Sequence, residues 1–245
     1  MFIPLRDTNH LKYIERQYVT LGLIAVNVIV FLAMSASGQD LLTATLLGFE
    51  FIPAVVNDYR VLPPDVTAPP ELFTYVTYAF LHADVWHLGS NMLFLWVFGD
   101  NVEDALGHFR FLVFYLVCAI AGAFGHGLML PTSEAGLVGA SGATSGVVAA
   151  YLILHPRVQL WVLVLMKVPL RLPAIVPILL WIAFQVWMLA TDHASDVSWA
   201  AHVGGLAAGT ILVVLLKRPD VPLFDRRIET PDAVVLDGDG RERTA

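Results

Sequence analysis

GASGATSG, Gly139 to Gly146, runs without a break into the apolar VVAAYLIL of Val147 to Leu154. Small residues let neighbouring helix backbones come close, so a serine set among glycines and alanines at the mouth of an apolar helix offers its hydroxyl to a neighbour. Read as chemistry, Ser141 is a nucleophile, and a serine nucleophile needs a base, donors for the oxyanion it creates, and water. Read as structure, it is a helix cap or a packing residue, because serine caps helices well. The rest of the chain decides between the two.

The chain of 245 residues is 57% hydrophobic and only 14% charged, with a mean hydropathy of +0.70, whereas soluble domains run at about 45–50% apolar and about 25% charged. This composition predicts an integral membrane protein, with the lipid bilayer as its first partner. The lone cysteine, Cys118, lies in an apolar run and excludes an internal disulfide framework. A net charge of −7 with no clustered basic patch gives nucleic acid no footing, and no nucleic-acid partner is expected. The polar opening MFIPLRDTNHLKYIERQY precedes a first apolar run without a small-residue cleavage site, which reads as a retained signal-anchor.

Apolar, uncharged runs lie at about Gln17 to Ser37, Val85 to Gly99, Phe111 to Leu130, Gly139 to Leu154, Ala174 to Thr191 and Ser198 to Leu216. They predict an all-α membrane protein, a six-transmembrane-helix bundle over 17–216, with a cytoplasmic segment at 1–16, a long first outer loop at 38–84 and a disordered cytoplasmic tail at 217–245. Against the ~20 residues a bilayer core needs, the second and fourth runs are short, as expected of helices encircled by the others that end in a wet depression. Val158 to Met166 is shorter still and bracketed by Arg157 and Lys167, so it is placed on the bilayer surface, with Pro169, Pro173 and Pro177 marking the turn into the fifth run. Within the first loop, Leu41 to Val56 and the Pro-rich Leu62 to Pro70 suggest an interfacial element beside the bundle. Of the 14 Lys and Arg, only Arg60 falls on the side of the first loop, against nine acidic residues between Asp40 and Asp196. The positive-inside rule then puts both termini in the cytoplasm.

With that topology the second, fourth and sixth runs all travel inward from the outer face. His87 lies near the outer end of the second with Asn91 one turn deeper, Ser141 at the outer end of the fourth, and His202 about one turn into the sixth. Three segments thus bring polar groups to one depth, and ionisable residues inside a membrane face a bundle interior or a wet cavity. Gly142 with Gly146, and Gly205 with Gly209, form small-xxx-small pairs that predict contact between the fourth and sixth runs. On this reading His202 takes the Ser141 proton, and the backbone N–H of Ser141 with the side chains of His87 and Asn91 holds the oxyanion.

HADVWHLGSN (His82 to Asn91), GASG (Gly139 to Gly142) and AHVGG (Ala201 to Gly205) resemble the three signatures of rhomboid intramembrane serine proteases, of bacterial type, in order and on the matching spans. The resemblance covers about Thr20 to Leu216. It implies a rhomboid-like bundle in the inner (plasma) membrane that cleaves transmembrane segments of other proteins near the outer face, with Ser141 as nucleophile, His202 as base, and His87 and Asn91 lining the oxyanion hole. It also implies His82 as a histidine on the outer rim, NVEDALG (Asn101 to Gly107) as a cytoplasmic turn, and Phe184 with Trp187 as part of a lateral substrate gate. No cofactor or metal is implied. One departure is Ser145, where some members carry an aromatic against which the base histidine packs; a hydrogen bond from Ser145 is one way His202 could be oriented instead.

Blander readings stand beside these. His82 is either a solvated histidine or a contact for substrate or water, and His10, His108, His126, His155 and His193 are interfacial or structural. Asn101, Glu103 and Asp104 cap and orient their turn, with Arg110 as a partner. The tryptophans are belt or packing residues, and Asn27 and Gln185 make interhelical hydrogen bonds. Two rival functions are a catalytically silent relative that binds transmembrane helices, which usually lacks the serine or the histidine, and a small proton-coupled transporter, for which no inverted repeat is visible. A histidine base predicts cleavage that falls as pH drops through a value near ~6.5 for an unperturbed ring.

Overall fold

The computed structural model describes residues 2–64, 66–164, 167–192 and 197–225. Asp65, Met166, His193, Asp196 and the tail from Arg226 onward lie outside them. In chain order the elements are β1 (Phe2–Asp7), α1 (Tyr18–Ser35), α2 (Gln39–Phe49), the single-turn helices α3 (Pro53–Val56) and α4 (Thr74–Thr77), α5 (Val85–Leu106), α6 (His108–Met129), α7 (Ser141–Leu154), β2 (Gln159–Val164), β3 (Val168–Pro173), α8 (Ile175–Thr191) and α9 (Trp199–Leu216). The six apolar runs are thus six helices. By length and composition α1, α6 and α9 are long and apolar enough to cross a membrane, while α7 and α8 are shorter.

The short fourth run is the centre of the bundle. α7 is buried from Gly142 to Tyr151 and again at Leu154, because α5, α6 and α9 surround it. Its small residues set how near they come. A Cβ on Gly205 would strike the backbone of Gly142, one on Gly209 the backbone of Gly146, and one on Gly146 the sulfur of Cys118 on α6. A Cβ on Gly204 would strike the carbonyl of Ala121, and one on Gly125 that of Ala200, so α6 and α9 also touch backbone to backbone. The spacing of the glycines gives α7 and α9 a parallel course.

The all-α expectation needs correcting: β1, β2 and β3 form an antiparallel sheet in that spatial order. The segment from Val158, placed on the bilayer surface from the sequence, supplies β2, where Leu160 and Val162 are buried while Trp161 and Leu163, which alternate with them, are less so. That is the period-two pattern of a strand with one covered face. Its partner β1 comes from the amino-terminal segment, Phe2 pairing with Val164 and Asp7 with Leu160. Pro169 and Pro173 lie on the edge strand β3, where a missing N–H costs no ladder bond.

The sheet sits at the end of the bundle where α5 and α7 finish. There the acids assigned to a turn with Arg110 do something else. Glu103, with no exposure, accepts from the N–H groups of Val19 (2.9 Å) and Thr20 (2.8 Å) and from the Thr20 hydroxyl (2.7 Å). It thereby supplies acceptors for the open N-terminus of α1, which has no cap of its own. Asp104 accepts from the successive amides of Lys12, Tyr13 and Ile14, and among the described residues Arg110 donates to the Leu216 carbonyl and to neither acid. Nor is the start of the tail detached. Arg218 N–H donates to Ala105, Phe224 and Asp225 donate to Ile153 and Leu154, and Val221 is buried.

Candidate functional site

The opposite end of α5, α7 and α9 carries the residues singled out above. α5 begins at Asp84, whose carboxylate accepts from the N–H groups of Trp86 (2.7 Å) and His87 (2.9 Å). These amide bonds hold the Asp84 carboxyl below its ordinary range and fix the first turn on which His87 stands. The His87 ring lies over Gly139, where a Cβ would stand 2.5 Å from both Cε1 and Nε2. Gly139 also has φ +115°, a conformation side chains disfavour, and its N–H donates to the Tyr78 carbonyl at 3.0 Å. The Tyr78 hydroxyl in turn donates to the Ala119 carbonyl of α6 at 2.8 Å and lies 3.0 Å from where a Cβ on Gly142 would be.

Ser141 is the first residue of α7 and half-buried. The residue before it, Ala140, offers no side-chain cap, and the first bond into the helix runs from Thr144 N–H to the Ala140 carbonyl at 2.9 Å. The amides of Ser141, Gly142 and Ala143 therefore have no acceptor within the helix, an arrangement suited to an anion. Across the interface Gly142 meets Ala201 and Gly205, so it lies level with the middle of that turn of α9. One residue earlier on each helix, Ser141 lies level with His202, which is half-buried.

His202 is held by groups that do not belong to α7. Its Nδ1 is 2.7 Å from Oε1 of Gln185 on α8, and its ring stands perpendicular to that of Trp199 with centroids 5.8 Å apart. Ser145 plays no part in this: its hydroxyl donates to the Ser141 carbonyl at 2.6 Å, because a serine inside a helix finds the carbonyl one turn back. Among the described residues the Ser141 hydroxyl and the His202 ring make no hydrogen bond to one another, and Nε2 is the ring nitrogen left open by Gln185.

Asn91 is one turn deeper than His87, buried, and donates to the His87 carbonyl at 3.0 Å. His82 is not solvated: it is 4% exposed, and its ring meets that of His87 edge-on at 5.2 Å. Burial pushes the His82 ring down to about 4, with His87 acting in the same direction, which keeps it neutral. His126 is structural: it bonds through Nδ1 to the Ser198 hydroxyl at 2.7 Å, and that hydroxyl also caps α9 through the Ala201 N–H. Asn27 donates to the Leu23 carbonyl of its own helix and lies beside the Tyr115 hydroxyl of α6. Gln185 has a signal in sequence, as the one amide in the apolar run from Ile175 to Ala190; its pairing with His202 has none. Among the described residues no group of three or more His, Cys, Asp or Glu is placed to hold a metal ion. An open cavity of about 590 Å³ between α2, α3 and the Pro-rich loop is lined by Gly48, Glu50 and Pro63 among others and includes none of the residues above.

The chain is similar to known proteins over most of its helical region. A model of the rhomboid domain matches residues 69–219. The chain is 29% identical over 209 residues to RHOMBOID-like protein 12, mitochondrial, of Arabidopsis thaliana, covering 79% of this chain and 56% of that protein. It is 33% identical over 143 residues to Rhomboid protein 1, mitochondrial, of Saccharomyces cerevisiae (54% and 38%), and 28% identical over 205 residues to Rhomboid protease GluP of Bacillus subtilis (84% and 36%). It thus spans between about a third and somewhat over half of these relatives' own lengths. With the matched region running from the loop before α5 to the end of α9, the chain belongs to the rhomboid family.

Proposed function

We propose that this protein is an intramembrane serine endopeptidase acting on transmembrane segments of other membrane proteins. The observation that carries the reading is the level pairing of Ser141 with His202 across the Gly142 and Gly205 contact, beside a His87 ring seated on Gly139. Ser141 attacks the scissile carbonyl and His202 Nε2 takes its proton. The oxyanion is held by the open amide of Ser141 with His87 and Asn91. His202 then gives that proton to the leaving amine as the C–N bond breaks, and the neutral ring next takes a proton from the water that attacks the acyl-enzyme and returns it to Ser141 as the ester bond breaks. A direct bond between Ser141 and His202 belongs to the substrate complex, since catalytic hydrogen bonds are often long before substrate arrives.

All six long helices cross the bilayer in this reading, including the short α7, which the others shield from lipid. The Lys and Arg bias supports a cytoplasmic sheet end with both termini, which puts Ser141 toward the outer face of a bacterial inner membrane. A substrate helix enters from the side and must unwind, because an intact helix engages its carbonyls in its own hydrogen bonds. Small or helix-weakening residues near the cut are favoured. The decisive experiment is labelling of the detergent-solubilised protein with a fluorophosphonate. Labelling is expected in the parent and lost in Ser141→Ala and His202→Ala; labelling that persists in Ser141→Ala refutes the assignment.

A further inference from the structure

Gln185 is 2% exposed, and in α8 only Pro177, Ile178 and Gln185 are buried. An amide taken out of water without a hydrogen bond is costly, so its burial on a helix that buries so little else needs a reason. Its Oε1 lies 2.7 Å from His202 Nδ1. A carboxamide oxygen only accepts, so Nδ1 carries the proton, and a neutral imidazole protonated there has its lone pair at Nε2. We infer that Gln185 is a positioning residue of the site, which fixes His202 in the tautomer that presents Nε2 as the base. This rests on the protease reading above and adds a third side chain to it.

The rest of the surroundings points the same way. The serine helix cannot orient the ring, since Ser145 is engaged with the Ser141 carbonyl. The second support is the Trp199 ring, whose Nε1 donates to Asp192 Oδ2 at 3.0 Å. Asp192 ends α8, so both supports of the histidine lead back to that helix. α8 is otherwise lightly held, with Leu180, Val186 and Trp187 exposed. The place of α8 and the tautomer of the base are therefore linked. Among the described residues the titratable groups around the ring are His87 from α5, which acts on it electrostatically, His126 on α6, which is committed to Ser198, and Asp192, which accepts from the Trp199 ring that stands against it. α7 carries no titratable side chain before Tyr151.

Two substitutions separate this role from packing, with the second-order rate of fluorophosphonate labelling at Ser141 measured against pH and folding checked by thermal unfolding in detergent. Gln185→Met fills the same space without a good acceptor, and the labelling rate is expected to fall about tenfold, the loss of one hydrogen bond. Gln185→Glu keeps an acceptor and adds a negative charge beside Nδ1. It is expected to hold the plateau rate within about threefold while moving the acid midpoint up by about one pH unit or more. Both variants matching the parent in rate and midpoint overturns the inference, as does an equal fall in both with the midpoint unmoved, which leaves Gln185 a packing residue. Persistent labelling of Ser141→Ala is a separate failure, of the protease reading itself.

Discussion

Gly205 of α9 rests so closely on the carbonyl of Gly142 of α7 that a Cβ would collide with it, and this contact sets Ser141 level with His202. Gly205→Ala has to push the two helices apart, since the atom it meets is backbone. Overpacking of this kind costs about 1–3 kcal/mol. Thermal unfolding in detergent is expected to register that loss, and fluorophosphonate labelling to fall with it. Gly22→Ala on α1 is the matched comparison, because nothing lies within 4 Å of its Cβ position. There the change is expected to be about 1 kcal/mol or less, in the stabilising direction, with labelling intact.

Gly139 is constrained twice, by φ +115° and by the His87 ring over its Cα. Gly139→Ala strains the backbone by about 1–2 kcal/mol and displaces a proposed oxyanion donor in the same step. The expected result is at least a tenfold fall in labelling rate, larger than the drop in thermal stability alone would give. A full labelling rate in Gly139→Ala would mean that the seat of His87 is unimportant.

The candidate site was largely legible in the sequence, and the reason is physical. The pairs Gly142 with Gly146 and Gly205 with Gly209 can mark a close helix contact without knowledge of the fold, and the structure puts each pair against the other. The sheet was not legible in the same way. Leu160 and Val162 alternate with Trp161 and Leu163 as a strand should, but the strand that completes the pairing, Phe2 to Asp7, lies far away in the chain. Glu103 and Asp104 were matched to Arg110 because it is near and charged, whereas their partners are main-chain amides of 12–14 and 19–20, which any residue type provides. The orientation of His202 failed for a related reason: the resemblance directs attention to position 145 on α7, and the acceptor comes from α8.

Glu103 tests the other end of the bundle. It is fully buried: one carboxylate oxygen accepts from the Thr20 amide and hydroxyl, and the other accepts from the Val19 amide with His108 Nδ1 beside it. Glu103→Ala strands those buried donors, and removing one member of such a buried charged network costs about 3–5 kcal/mol. Glu103→Gln keeps one oxygen and is expected to lose clearly less. Unfolding midpoints of the two variants, measured side by side in one detergent, check the order; equal midpoints would mean that the N-terminus of α1 finds water instead.

Asp7 gives a pH dependence of opposite sign to that of an ordinary paired carboxylate. Burial raises its carboxyl from 3.8 to about 6, against the lowering effect of the Tyr151 hydroxyl that donates to it at 2.7 Å. Asn101 Nδ2 donates to the same Asp7 oxygen and to Asp100, both at 2.9 Å, so a second carboxylate stands nearby. The folded chain therefore holds this proton more tightly than the unfolded chain does. The stabilisation is full below about pH 3.8 and is lost as pH rises through about 6. Asp7→Asn cannot ionise and should lack this term, so at pH 8 it is expected to be more stable than the parent by about 1–2 kcal/mol, a difference that shrinks toward pH 5. Unfolding midpoints at the two pH values check this, and a parent that gains stability relative to Asp7→Asn on going from pH 5 to pH 8 contradicts it. Labelling of Ser141 should be the same in both proteins, because Tyr151 and Ser141 stand near opposite ends of α7.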